Sequence, residues 1–160
     1  MELILVRHGL IDHNNDGRYC GWTNPGLNSL GKLQASDIAK KLEKDRIDVI
    51  YTSDLIRCME TTRIINDKHN AQLVIESRLR EINFGLWENK TFKDINLVYS
   101  DEVKEWMDLG LDFTMPEGEN IHDTVARAME VIEEIKIANS VGKGCKAFSG
   151  VIRGILALLI

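Results

Sequence analysis

The first apolar run of the chain, Leu3-Ile4-Leu5-Val6, is four residues long and shows no alternation with polar positions. It is too short for a helix. As a strand it is apolar on both faces, so it needs cover on both faces. That requirement points to a sheet held between two layers of helices, and the following sequence supplies both kinds of element. Residues 29–44 carry Ala35, Ile38, Ala39 and Leu42 on one helical face, with Ser29 as the predicted N-cap. Ile47 to Tyr51 reads as a second strand. A helix follows to about Asp67, with Ser53 or Asp54 as its cap and Leu55, Met59, Thr62 and Ile65 along one face. Leu73 to Ile75 reads as a third strand, and 91–110 as one or two helices. Asn120 is placed to cap a long helix with Ile121, Val125, Ala128, Met129, Ile132 and Ile135 inward. A weaker strand falls near Cys145–Phe148, and a last helical pattern starts at Val151. Strands alternating with helices predict an α/β fold: three layers, α/β/α, around a mostly parallel sheet.

The chain has 160 residues, enough for one domain with its own core. No linker or repeat divides it, so 1–160 is read as a single domain. A net charge of −5 argues against nucleic acid as a partner. Three cysteines (Cys20, Cys58, Cys145) form neither a C-x-x-C pair nor a zinc spacing. Reduced thiols and a cytoplasmic location are expected. The start Met1-Glu2-Leu3 does not fit a signal peptide, and the last apolar stretch is too short to span a bilayer, so no membrane association is expected.

In such sheets, ligands sit beyond the carboxyl ends of the strands. Arg7-His8-Gly9 follows the first strand there. An arginine grips phosphate oxygens bidentately, a glycine lets a ligand approach the backbone, and a neutral histidine can act as nucleophile or base. After the second strand comes Ser53-Asp54-Leu55-Ile56-Arg57, with Arg57 in the first turn of a helix, where an anion is favoured. After the third comes Arg80-Glu81-Ile82-Asn83-Phe84-Gly85-Leu86-Trp87-Glu88, with Glu81 as a candidate proton donor. Taken alone, Arg7-His8-Gly9 is as well explained by local structure as by chemistry, and Arg57 and Glu81 are better explained by local structure.

Together and in this order, the three motifs resemble the histidine phosphatase, or phosphoglycerate mutase-like, superfamily. The loop Gly21-Trp22-Thr23-Asn24-Pro25-Gly26-Leu27-Asn28-Ser29-Leu30-Gly31 and the stretch Pro116-Glu117-Gly118-Glu119-Asn120 are similar to segments of the same family. The Trp87-Glu88 form of the third motif is closer to its small phosphatases, such as the α-ribazole-5′-phosphate phosphatase of cobalamin synthesis, than to its mutases. The resemblance implies a cofactor-independent phosphomonoester hydrolase that acts on a small phosphorylated metabolite. His8 would take the phosphoryl group. Arg7 and Arg57 would clamp its oxygens, Asn14, Arg18 and Gly21 would bind phosphate or substrate, and Glu81 would act as acid and then base. No metal is implied. Residues 82–120 would be a cap; Trp87, Phe92, Trp106 and Phe113 are either lid aromatics or, the better reading, local packing under a long connection.

The chain departs from the family at two places. Where the family has Ser-His-Gly-Gly-Val-Ile-Arg, this chain reads Phe148-Ser149-Gly150-Val151-Ile152-Arg153. Either Phe148 replaces the second histidine, or a His-Gly pair is missing after Ser149. The other histidines, His13, His69 and His122, match no motif, although His13 lies near the phosphate loop. Leu10-Ile11 stands where a polar residue and a hydroxyl are common. A shortened C-terminal part is expected, with Leu156, Leu159 and Ile160 leaving an apolar surface suited to a homodimer. The expected activity is therefore an impaired phosphatase. The alternative is a phosphate-binding pseudoenzyme, and a phosphoglycerate mutase ranks third.

Overall fold

The computed structural model describes residues 2–138 and the backbone of 145–149. Four strands, β1 (Glu2–Val6), β2 (Val49–Thr52), β3 (Gln72–Ile75) and β4 (Cys145–Ser149), form a parallel sheet in the order β1-β4-β2-β3. The weakest strand of the sequence reading is thus a central one. Phe148 of β4 is level with Leu5 on one side and Tyr51 on the other. The helix expected from Val151 and its apolar surface lie outside the described residues.

Alternate β1 side chains serve opposite layers, as the period of a strand dictates. Ile4 and Val6 pack against Ala39 and Leu42 of α2 (Ser29–Leu42) and Ile65 of α3 (Ile56–Asn66), which follow a short α1 (Asp12–Asn15). Leu3 and Leu5, with Tyr51, pack against the opposite layer, where α6 (Ile121–Ala138) supplies Ala128, Val131 and Ile135. This is the α/β/α arrangement that the four-residue apolar run required. In α6, Val131 is buried although the periodicity did not place it inward, and Met129 is only half-buried.

Helix starts differ from the expectation where tertiary partners intervene. Asn28, not Ser29, caps α2, and its Oδ1 accepts from the Gly31 N–H at 2.8 Å. α3 begins at Ile56, after Ser53 and Asp54. The Asp54 carboxylate is instead engaged by Arg80, whose Nε lies 2.6 Å away. Asn24, remote in sequence, accepts from the Ile56 N–H at 2.6 Å and does the capping. Asn120 does cap α6, accepting from the His122 N–H at 2.7 Å.

Residues 91–110 form two helices, α4 (Phe92–Val98) and α5 (Ser100–Leu109), broken at Tyr99. With the 3-10 turns Gly85–Trp87 and Gly110–Asp112, they enclose a second core of Ile82, Trp87, Ile95, Val103, Phe113 and Met115. Trp87 is 0% exposed, stacks on Phe113 and meets Trp106 edge-on. Trp87 is therefore interior packing of this segment, not a mobile lid group. Among the described residues, no helix is long and apolar enough to cross a membrane.

The layer contacts can be tested at Ile65, which is 2% exposed between α3 and the sheet. Ile65→Ala should cost about 2–5 kcal/mol in urea unfolding. Leu33→Ala, at a position 63% exposed on α2, should stay within about 0.5 kcal/mol. Equal effects would contradict the layer assignment.

Candidate active site

The loop after β1 lies backbone to backbone on the start of α2. A Cβ at Gly9 would stand 2.2 Å from the Gly31 carbonyl oxygen, and one at Gly31 would stand 2.1 Å from that of Leu10. Only glycine permits this approach. The loop's amides are held by side chains: Gly9 N–H donates to Thr61 Oγ1, Leu10 N–H to Gln34 Oε1 and Ile11 N–H to Asn14 Oδ1. Ile11, which stands where the family commonly has a hydroxyl, is 1% exposed and packs with Leu27 and Ala35. Its bulk completes the core beneath the loop.

His8 Nδ1 lies 2.7 Å from the Gly9 carbonyl oxygen. That oxygen can only accept, so Nδ1 carries the proton and Nε2 keeps its lone pair. Burial of the ring lowers the His8 pKa to about 4; the Gly9 bond opposes this, and the charges of Arg57 and Arg7 add to the lowering. The ring is therefore neutral at pH 7.

A cavity of about 630 Å³ opens beyond the strand ends. Arg7, His8, Asn14, Arg18 and Glu81 all line it, as does His13. Asn14 Oδ1 is taken by the Ile11 amide, so its Nδ2–H is what it can offer a ligand. Arg18 spends one nitrogen on the Asn89 carbonyl at 2.7 Å and lies 3.7 Å from Asp16. Glu81 Oε1 accepts from the Ile82 N–H at 3.0 Å.

Two expected residues stand behind the wall. Gly21 N–H donates to the Glu88 carboxylate, and a Cβ at Gly21 would stand 1.8 Å from the Ile82 carbonyl oxygen. Its amide is thus committed to the protein. Arg57, 1% exposed, donates to the carbonyls of Gly21 (2.6 Å) and Thr23 (2.9 Å). Its Nε, buried and without a partner among the described residues, is left as a donor for a phosphoryl oxygen. His122 lies outside this site at the start of α6, 2.9 Å from Asp112, and His69 follows α3.

Three residues that hold the site were given no role by the sequence. Glu88 accepts from the N–H groups of Gly21, Trp22, Thr23 and Phe84 and from Thr23 Oγ1. Arg127 donates to the carbonyls of Arg78, Arg80 and Glu81, and it pairs with Glu119 at 2.8 Å. Glu119 in turn accepts from the Asn83 N–H, and its carboxyl is held below the usual range by Arg127 and that amide, against the effect of burial. The signal for Glu88 was its place in the third motif. Arg127 and Glu119 had only helical position and the resemblance of the 116–120 stretch.

The register of β4 bears on the missing histidine. Phe148 lies within the strand, level with Leu5, and Ser149 is level with Val6. Phe148 is therefore not where a residue just past the strand end would stand. The alignment that leaves out a His-Gly pair after Ser149 fits this register, and the position after Ser149 lies outside the described residues. Among the described residues, no group of three His, Cys, Asp or Glu could hold a metal ion.

Two outcomes test this geometry. Glu88→Ala strands the buried or half-buried amides of Gly21, Thr23 and Phe84, each worth about 1–3 kcal/mol when left unsatisfied, so the thermal unfolding midpoint should fall sharply, and Glu88→Gln should recover part of the loss. In an NMR titration, His8 should ionise with a midpoint near 4. An unfolded histidine ionises near 6.5, so the unfolded chain binds more protons between these values. The contribution of neutral His8 to stability is present above 6.5 and is lost as pH falls toward 4. A midpoint at 6.5 or higher would contradict the buried neutral ring.

Comparison with known proteins agrees with the fold and the motifs. The model of the histidine phosphatase superfamily (branch 1) matches residues 3–160. Phosphoserine phosphatase 1 of Hydrogenobacter thermophilus is 31% identical over 136 residues, which is 85% of this chain and 64% of that protein, so the chain spans less than two thirds of that relative. Relatives named as probable phosphoglycerate mutases match as well. The α-ribazole phosphatase of Shigella flexneri superposes with a TM-score of 0.90 at 25% identity, over 99% of this chain and 77% of that one. A mycobacterial glucosyl-3-phosphoglycerate phosphatase solved with VO3 gives 0.83 at 27% identity, over 98% and 77%. A superfamily match over nearly the whole length, on a fold that places Arg7, His8 and Glu81 around one cavity, makes the chain a member of the histidine phosphatase superfamily.

Proposed function

We propose that the chain hydrolyses small phosphomonoesters through a phosphohistidine at His8. The observation that carries this reading is the His8 ring, neutral and with its proton on Nδ1, which leaves Nε2 as a nucleophile in a cavity shared with Arg7 and Glu81. Nε2 forms a bond to phosphorus as the ester P–O bond breaks, and Glu81 gives its proton to the leaving oxygen. The ring becomes cationic, and the Gly9 carbonyl at Nδ1 steadies that charge. Water then attacks phosphorus while Glu81 takes its proton. The P–N bond breaks, returning neutral His8 and free phosphate.

Arg7 and the Nδ2–H of Asn14 serve the phosphoryl oxygens, with Arg18 at the cavity wall. Arg57 acts through its charge and its grip on residues 21–23, with its Nε, unpartnered among the described residues, available for a direct contact. Residues 82–120 form a cap over the ester's organic part. The absent second histidine removes one donor to the transition state, a loss of about 10²–10³ in rate. Activity is therefore slow. The likeness to an α-ribazole phosphatase keeps that enzyme's ester among the substrates to assay.

Hydrolysis of p-nitrophenyl phosphate tests the reading. His8→Ala should lower turnover by about 10³-fold or more. Glu81→Gln should slow alkyl phosphates by about 10²–10⁴-fold and p-nitrophenyl phosphate much less, because p-nitrophenolate leaves without a proton. Equal rates for the wild-type protein and His8→Ala would sink the enzyme reading.

A further inference from the structure

The cavity is far larger than a phosphoryl group needs. At about 630 Å³ it falls within the range of sites that enclose a drug-sized ligand. Among the described wall residues, the charged side chains belong to Arg7, Arg18 and Glu81. Much of the remaining wall is apolar: Tyr19, Phe84, Phe92, Trp106, Leu111 and Phe113. Tyr19 meets Phe84 edge-on with ring centroids 5.1 Å apart, and Trp106 at 6.5 Å, so these rings form one fixed surface. Phe92 and Leu111 contribute from α4 and from the turn Gly110–Asp112, at 42% and 64% exposure.

We infer that the site takes phosphomonoesters of bulky aromatic or apolar alcohols and discriminates against esters that also carry a carboxylate. This rests on the phosphomonoesterase reading of the same cavity. A substrate carboxylate would need a cation beyond the one that meets the phosphoryl group. Arg7 adjoins the nucleophile, and Arg18 already serves the Asn89 carbonyl and Asp16. A substrate ammonium would find only Glu81 among the described wall residues, and Glu81 is the proton donor of the proposed reaction. A carboxylated substrate would thus place an unpaired charge against aromatic rings, whereas an aryl group would displace water from them.

The test uses phosphonates, which bind without being cleaved. Isothermal titration of the whole chain with naphthylmethylphosphonate, with 2-amino-4-phosphonobutanoate (the phosphonate of phosphoserine) and with inorganic phosphate should rank the aryl compound about tenfold or more above the amino acid. Phe92→Ala should weaken the aryl compound about fivefold more than inorganic phosphate. Equal or reversed affinities, or no binding of the aryl compound, would overturn the inference. Turnover is measured in parallel. Tight aryl binding without hydrolysis of naphthyl phosphate would remove the phosphatase reading while leaving the ligand class intact. Hydrolysis of phosphoserine with kcat/KM equal to that of naphthyl phosphate would do the reverse.

Discussion

Residues 21–23 are held from two sides by opposite charges. The Glu88 carboxylate collects their N–H groups, and the Arg57 guanidinium collects the carbonyls of Gly21 and Thr23. Neither side chain could be buried at low cost alone, because a buried charge needs both a partner and full hydrogen bonding. The three-residue loop satisfies both, with backbone dipoles as the intermediary. One charge sits on α3, which packs on the sheet, and the other follows Trp87, at the heart of the second core. The clamp thus sets the distance between the strand ends and the segment that covers them.

The same economy governs the proposed nucleophile. Burial lowers the proton affinity of His8, and the charges of Arg57 and Arg7 lower it further. On the proposed mechanism, a histidine so placed is held ready to accept a phosphoryl group rather than a proton. Across the site, Arg127 performs the complementary task for the Glu81 backbone, drawing the carbonyls of Arg78, Arg80 and Glu81 toward one guanidinium. That segment has no strand or helix to define its path, so its position comes from side chains reaching over from α6.

Much of this could be read before any coordinates. The uninterrupted run at Leu3–Val6 required cover on both faces, and the structure supplies it. Arg7, His8 and Glu81 were legible because each follows a strand. Helix starts were read less well, since a local rule names Ser53, Asp54 or Ser29 while the bonds come from Asn24 and Asn28. Arg57 and Gly21 were placed in the cavity from motif position alone. The structure turns their polar atoms toward the loop and Glu88, a choice made by contacts over long sequence separations. For Trp87 the sequence offered a lid group or local packing; its burial against Phe113 is packing, in a second core that no periodicity announces.

The order of the sheet has a consequence for how the chain comes into being. β1 and β2 do not pair with each other; β4, made long after both, lies between them. Until residue 149 leaves the ribosome, the first strand has no hydrogen-bonded neighbour among β2 and β3, and the helices α2 and α3 must hold the halves in place through side chains alone. The nascent chain therefore carries an open slot in its middle for most of its synthesis, one strand wide. Any other extended segment that entered that slot first would compete directly with Cys145–Ser149 for the edges of β1 and β2.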